Sequence, residues 1–300
     1  MKAILHPVVA AQLARGGMPP RAPGPAIDTV RDFEIPGRRG AIPVRLHQPN
    51  GARGAIVALH GGGWRIGSRD SYDATARNLA NDSGQAVFTV DYRLAPENRF
   101  PVQLEDALDA TTWIADHAED FGLEPGRLAV HGESAGGNLA AAVCLYARDH
   151  GGPSIRFQSL VYPATDARLV ADTLDEFDQG CGLTKADFAS AWRGYGLGEL
   201  FGPDDWRASP LHAQSHAGLP PALILSARCD GMFDDAAAYA LKLQGAGVEA
   251  VHVTYEGMVH MFFHQRQTLA AARMAQKQVA MTLRDALLAE LEPGVATPFV

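Results

Sequence analysis

Residues 131–140 read HGESAGGNLA, in which Gly132-x-Ser134-x-Gly136 falls between a strand-like run, RLAVHG, and a helix-like run that starts at Ser134. That context is what a nucleophile elbow requires. A sharp turn there holds the serine in a strained backbone conformation, so the residues two positions away on either side must lack side chains. The turn exposes Oγ and sets the positive end of a helix dipole beneath it. A serine hydroxyl is a weak nucleophile: it needs a base, and the base needs an orienting acid. Behind such an elbow the acid and then the base follow in chain order. The apolar strand ALILSARCD delivers Asp230 to a strand end. Asp234 and Asp235 compete, but they precede AAAYALKL and read as first-turn helix residues favoured by the dipole. The acid is therefore expected at Asp230.

The base should come from the loop after the next strand, where YEGMVHMFFH offers His260 and His264. Gly257 frees the loop before His260, whereas His264 is expected to begin the last helix. His252 lies inside a strand and reads as a surface histidine. His60 and His131 sit at strand ends beside glycine and read as structural. His260 is thus the expected base.

Attack on a carbonyl also creates an oxyanion, which needs donors aimed at it from a place free of side chains. The helix start supplies the Ala135 N–H. A second source is the run HGGGW at 60–64, where Gly61, Gly62 and Gly63 end a short apolar strand and let bare backbone approach closely. Which two of the three donate is left open. A phosphate loop would need Gly-Lys-Ser/Thr after the glycines, or G-x-G-x-x-G, and neither is present. His212-x-x-x-His216 and His260-x-x-x-His264 have zinc-ligand spacing without the glutamate of HExxH, so no metal is expected. Cys181 is a candidate pocket thiol, although an isolated buried cysteine is inert.

The elements that must position these groups alternate along the chain. Strands are expected at RDFEIPG and AIPVRLHQP, joined at Gly37–Gly40, then at GAIVALH, QAVFTVDYR, RLAVHG, IRFQSLVYP, PALILSARCD and EAVHVTYEG. Helices are expected over 69–82, 102–122, 134–148, 236–244 and 266–291. GGMPPRAPGPA at 16–26 reads as a loop after a first helix. The alternation implies a mostly parallel sheet covered on both faces, with ligands bound beyond the carboxyl ends of the strands. Residues 166–210 break the rhythm: Phe188, Trp192 and Tyr195 share one helix face, and the block reads as helices over the top of the sheet.

A chain of 300 residues with 47% apolar and 20% charged residues can bury a sizeable single α/β core. A net charge of −8 argues against nucleic acid or an anionic membrane as partner. Three cysteines far apart, with no CxxC, read as reduced thiols of a cytoplasmic protein. No apolar run is long enough to span a bilayer. The N-terminal stretch, broken by His6 and Pro7, reads as a surface helix rather than a signal peptide. A homodimer stays open.

HGGGW, DYRLAPENRFP, GESAGGNLAAAV, LPPALILSARCDGMFDDAAAYA and GMVHMFF, in that order from about residue 30 onward, resemble the hormone-sensitive-lipase-like family of bacterial serine esterases. The resemblance implies an α/β-hydrolase fold with a helical cap, here about residues 1–35 and 166–210. It implies carboxylesterase activity on short acyl chains without a cofactor. The family's triad falls on Ser134, Asp230 and His260, and its oxyanion donors on Gly61–Gly63 and Ala135. The chain departs from the family at Glu133, where Asp is usual, at Gly231–Asp235 and at Met261. Arg93 and Glu97 belong to a motif read as loop support. Lactonase, amide hydrolase and deacetylase use the same machinery. A non-catalytic small-molecule-binding protein on the same fold is the alternative of another class.

Overall fold

The structure, a computed structural model, describes residues 4–17 and 23–290. Its centre is an eight-stranded sheet in the order β1-β2-β4-β3-β5-β6-β7-β8: β1 Thr29–Ile35, β2 Ile42–Gln48, β3 Ala55–Leu59, β4 Ala86–Val90, β5 Leu128–Glu133, β6 Phe157–Val161, β7 Ala222–Ala227 and β8 Ala250–Tyr255. β1 pairs antiparallel with β2, and β2 with β4; all other pairs are parallel. The inner strands β3 to β7 are buried along their whole length, which explains why they read as unbroken apolar runs rather than as alternation.

Helices cover both faces. Helices α3 (Val102–Asp116), α4 (Ala135–His150) and α7 (Phe233–Gly245) pack on one side. Helices α1 (Pro7–Ala14), α2 (Arg69–Ser83) and α8 (Ala270–Leu288) pack on the other. α2 starts at a capping box between Ser68 and Ser71 and stops at Gly84, whose left-handed φ of 68° suits glycine. α8 starts four residues later than the expected 266, because Phe262–His264 forms a separate one-turn 3-10 helix. It ends at Leu288, short of the expected 291, with Ala289 already out of helical conformation. α7 starts at Phe233, three residues earlier than expected, so Asp234 and Asp235 do fall in its first turn.

Two short helices occupy the insertion between β6 and β7, α5 (Asp172–Glu176) and α6 (Lys185–Tyr195). A Thr184–Asp187 capping box starts α6, and Phe188, Trp192 and Tyr195 are buried along one face of it. The N-terminal boundary expected for the cap needs correction. Residues 29–35 form β1, an edge strand held by its full ladder with β2 from Thr29↔Gln48 to Ile35↔Ile42. Residues 1–3 of that expected segment, and 18–22 of its loop, lie outside the described residues. α1 lies against the far end of the sheet: the His6 N–H donates to Gly257 O at 3.0 Å, and Val9 is buried with Met258 and Val259.

Candidate active site

The carboxyl ends of β3, β5, β7 and β8 converge on one cavity of about 490 Å³. Ser134 closes β5 and opens α4 with φ 54° and ψ −120°, a strained conformation for a non-glycine residue. The tight turn explains its glycine neighbours: a β-carbon on Gly132 would collide with the Gly136 carbonyl, and one on Gly136 with the carbonyl of Leu59. The Ser134 N–H donates to Val161 O at 2.9 Å, which fixes the elbow to β6.

Ser134 Oγ lies 2.9 Å from His260 Nε2, and His260 Nδ1 lies 2.7 Å from Asp230 Oδ2. With a proton on Nδ1, the imidazole donates to Asp230 and accepts from the serine hydroxyl. The second oxygen of Asp230 accepts the Met232 N–H at 3.0 Å. All but the outward edge of this chain is buried: Asp230 is 2% exposed and His260 4%. Gly257, at φ 70°, turns the chain into the His260 loop, and Met261, at φ 67°, turns it out again.

The glycine run lies beside the elbow. Gly62 and Gly63 have φ of 120° and 60°, and a β-carbon on Gly62 would collide with Ile66 O. A β-carbon on Gly61 would come 3.2 Å from the Glu133 carbonyl oxygen and 3.4 Å from Ser134 Cβ, so this loop lies closely against the elbow. Much of the remaining lining is apolar, with Leu183, Phe188, Ala191 and Trp192 of the insertion together with Met232, Met261 and Ile66, and Asp187 and Ser190 add polar groups to it.

The remaining candidates go elsewhere. Asp234 Oδ2 accepts the Thr173 N–H at 3.1 Å. Asp235 is fully buried beside Asp166, and burial raises its carboxyl well above the usual range. His60 stacks on Tyr92 at 4.3 Å with Nδ1 2.8 Å from Gly61 O. His131 contacts Ser159 Oγ at 3.2 Å and Tyr72 OH at 2.9 Å. That second serine–histidine contact lies inside the sheet, outside the cavity lining, and burial pushes His131 down to about 4. His252 is half-buried rather than on the surface, 2.7 Å from Ser226 Oγ on the neighbouring strand. The histidines with zinc-like spacing have other partners: His212 pairs with Asp166 at 2.8 Å and His216 with Pro210 O at 3.0 Å. Cys181 does not line the cavity, and burial raises its thiol. Arg93 grips Asp106 at 2.5 Å and the carbonyls of Arg39 and Ala41, so it braces its loop.

In the sequence Glu133 stands out only as a departure from the family, and His264 as a second candidate base, a zinc-spaced histidine and a helix start; nothing there joins the two. In the structure His264 sits in the one-turn 3-10 helix, with Nε2 2.6 Å from Glu133 Oε2 and Nδ1 3.0 Å from Thr75 Oγ1. Both residues belong to the cavity lining.

The family model for the alpha/beta hydrolase fold matches residues 56–264. The chain is 41% identical over 271 residues to the carboxylic ester hydrolase LipN of Mycobacterium tuberculosis, covering 87% of this chain and 72% of that protein. It is 35% identical to an ethyl acetate hydrolase of Pseudomonas putida, covering 87% and 84%. Among solved structures, an ester hydrolase from the metagenome of Lake Arreo, complexed with a derivative of bipyridine phosphonate, superposes with a TM-score of 0.88 at 35% identity over 94% of this chain and 98% of that one. A hyperthermophilic esterase from the archaeon Pyrobaculum calidifontis superposes with a TM-score of 0.82 at 39% identity over 88% of both. With its sheet, its elbow and these matches taken together, the chain belongs to the alpha/beta hydrolase fold family, in the hormone-sensitive-lipase-like branch.

Proposed function

We propose that Ser134, His260 and Asp230 carry the reaction of this carboxylic ester hydrolase, with short-chain esters as substrates. His260 Nε2 takes the proton from Ser134 as Oγ attacks the ester carbonyl. Asp230 holds the imidazole in the required tautomer and stabilises the imidazolium. Backbone N–H groups of Gly61–Gly63 and of Ala135 receive the negative charge that develops on the carbonyl oxygen. Collapse of the tetrahedral species breaks the ester C–O bond, and His260 returns its proton to the departing alkoxide. An acyl group then remains on Ser134. Water, deprotonated by the same imidazole, attacks that acyl group; the second collapse frees the acid and restores the serine.

The observation that carries this reading is the pair of contacts of 2.9 Å and 2.7 Å joining serine, imidazole and carboxylate at the cavity floor. Two relatives named for ester hydrolysis support esters over lactones and amides. The insertion 166–210, with α1 beside the His260 loop, serves as the cap in this reading. Among the described residues no helix is long and apolar enough to cross a membrane. Three unpaired cysteines support a cytoplasmic location. The test is Ser134→Ala assayed on a p-nitrophenyl ester: the variant folds and loses nearly all turnover, and near-wild-type turnover would remove Ser134 from the mechanism.

A further inference from the structure

Glu133 ends β5, one residue before the nucleophile, and its carboxylate is almost wholly buried. A carboxylate in such a place must be held by donors. Two reach the same oxygen: the Tyr162 hydroxyl donates to Oε2 at 2.7 Å, and His264 Nε2 lies 2.6 Å from it. His264 Nδ1 in turn faces the Thr75 hydroxyl at 3.0 Å, so the Nε2–H points at Glu133.

Those two donors come from the segments that surround His260. Tyr162 follows β6 directly and is held at φ 36°, an uncommon backbone conformation for a bulky residue. Its N–H donates to Leu225 O at 2.6 Å, and its ring lies 4.5 Å from the imidazole of His260, tilted by 45°. Strain of this kind persists only where surrounding contacts over-determine it. His264 lies four residues beyond His260 on the same loop, and the Tyr72 ring packs perpendicular to it with centroids 5.9 Å apart. One buried carboxylate thus ties the ring behind His260 to the loop that carries His260.

We propose that Glu133 is a positioning residue for the reaction: its carboxylate anchors the phenol of Tyr162, whose ring forms the wall that holds the His260 imidazole in line with Ser134 Oγ, while His264 locks the carboxylate in place. The inference rests on His260 being the base. An imidazole that must take a proton and return it twice per turnover works only while it stays aligned, and a displacement near 1 Å costs on the order of 100-fold.

The test is a double-mutant cycle of Tyr162→Phe and Glu133→Gln in the full chain, read as kcat and KM on p-nitrophenyl butyrate. Tyr162→Phe keeps the ring and removes its anchor; kcat falls about 10-fold while KM stays within about twofold, because alignment rather than binding is lost. Glu133→Gln weakens the same anchor and lowers kcat by roughly threefold or more. The double variant is no slower than the slower single one, since both changes act through one contact. Losses that multiply, an effect confined to KM, or a wild-type kcat in Tyr162→Phe would each overturn the proposal. If Glu133→Gln does not fold, the kcat and KM of Tyr162→Phe decide alone. Labelling of wild-type Ser134 by an organophosphorus ester reports separately on the nucleophile, so failure of the anchor is distinguishable from failure of the triad.

Discussion

Trp64 and Tyr195 lie face to face, with ring centroids 4.2 Å apart and 2° between their planes. Trp64 follows the glycine run and Tyr195 ends α6, so this stack joins the loop beside Ser134 to the insertion above it. Trp192 adds a second contact to Trp64 at 4.5 Å, and Phe100 packs on Tyr195 at 5.5 Å. Tyr195→Ala opens a cavity in this cluster and lowers the unfolding free energy by about 3–5 kcal/mol, measured by urea denaturation. It also lowers kcat/KM, because the glycine loop loses its support. Tyr195→Phe keeps the stacked ring and leaves kcat/KM within about twofold. An equal loss in both variants would show that the ring contact is not what holds the loop.

The carboxylates near β7 separate by what they touch. Asp230 reaches His260 at 2.7 Å, while Asp234 accepts the Thr173 N–H at 3.1 Å and steadies the start of α5. Asp230→Asn leaves the cavity intact and lowers kcat by roughly 10³- to 10⁴-fold, because the imidazole loses its orienting charge and the wrong tautomer is favoured. Asp234→Asn keeps a side chain able to accept the same bond and stays within a few-fold of wild type. The reverse ranking in a p-nitrophenyl assay would reassign the acid.

Much of this arrangement is legible in the chain because the turns constrain residue types locally. Gly132 and Gly136 admit no β-carbon at the elbow, and Gly62 admits none in the loop beside it, so the pattern marks the place. The buried parallel strands announce themselves as apolar runs. β1 is harder to read from the chain, since five of its seven residues are exposed and its burial pattern is faint. The Glu133–His264 pair is invisible in one dimension: the residues are far apart in the chain, and nothing in the local spacing of either points to the other. The Trp64–Tyr195 stack is hidden for the same reason. The helical spacing of α6 reveals its buried face but not what that face meets.

Burial of His131 moves its imidazole from the ordinary 6.5 down to about 4, so the folded protein holds it neutral. As pH falls, the unfolded chain takes up the proton first. The stability that this group contributes is therefore complete above pH 6.5 and is lost between about 6.5 and 4. The difference corresponds to about 3 kcal/mol across that window. His47, His216 and His252 are shifted down by burial too and add to the same slope. Urea unfolding at pH 7, 5.5 and 4.5 should show stability falling with pH, and more gently in His131→Gln. An identical slope in that variant would mean that other groups set the acid limb.

Acyl length tests the shape of the cavity. Of the bulky residues just after Asp230 and His260, Met232 and Met261 line the wall, but Phe233 lies against Arg228 and His252, and Phe262 packs into the core beside Tyr255. Phe188 stands in the wall with its ring perpendicular to that of His260, 5.6 Å between centroids, and Trp192 of the same helix also lines the cavity. Each methylene of substrate that the cavity buries is worth about 0.8 kcal/mol. Once the wall is reached, a further methylene must displace a packed side chain at a cost of roughly 1–3 kcal/mol. The gain therefore reverses, and kcat/KM across a p-nitrophenyl ester series should peak at acyl chains of roughly two to six carbons and fall sharply beyond about eight. Phe188→Ala removes part of the wall. Because the ring also packs on His260, its absolute rate is a poor measure, and the position of the optimum is the quantity to read. That optimum should move to longer chains in the variant. A wild-type preference for dodecanoyl esters, or an optimum unmoved by Phe188→Ala, would mean that the acyl chain leaves the cavity by another route, between Ile66 and Met261 rather than against α6.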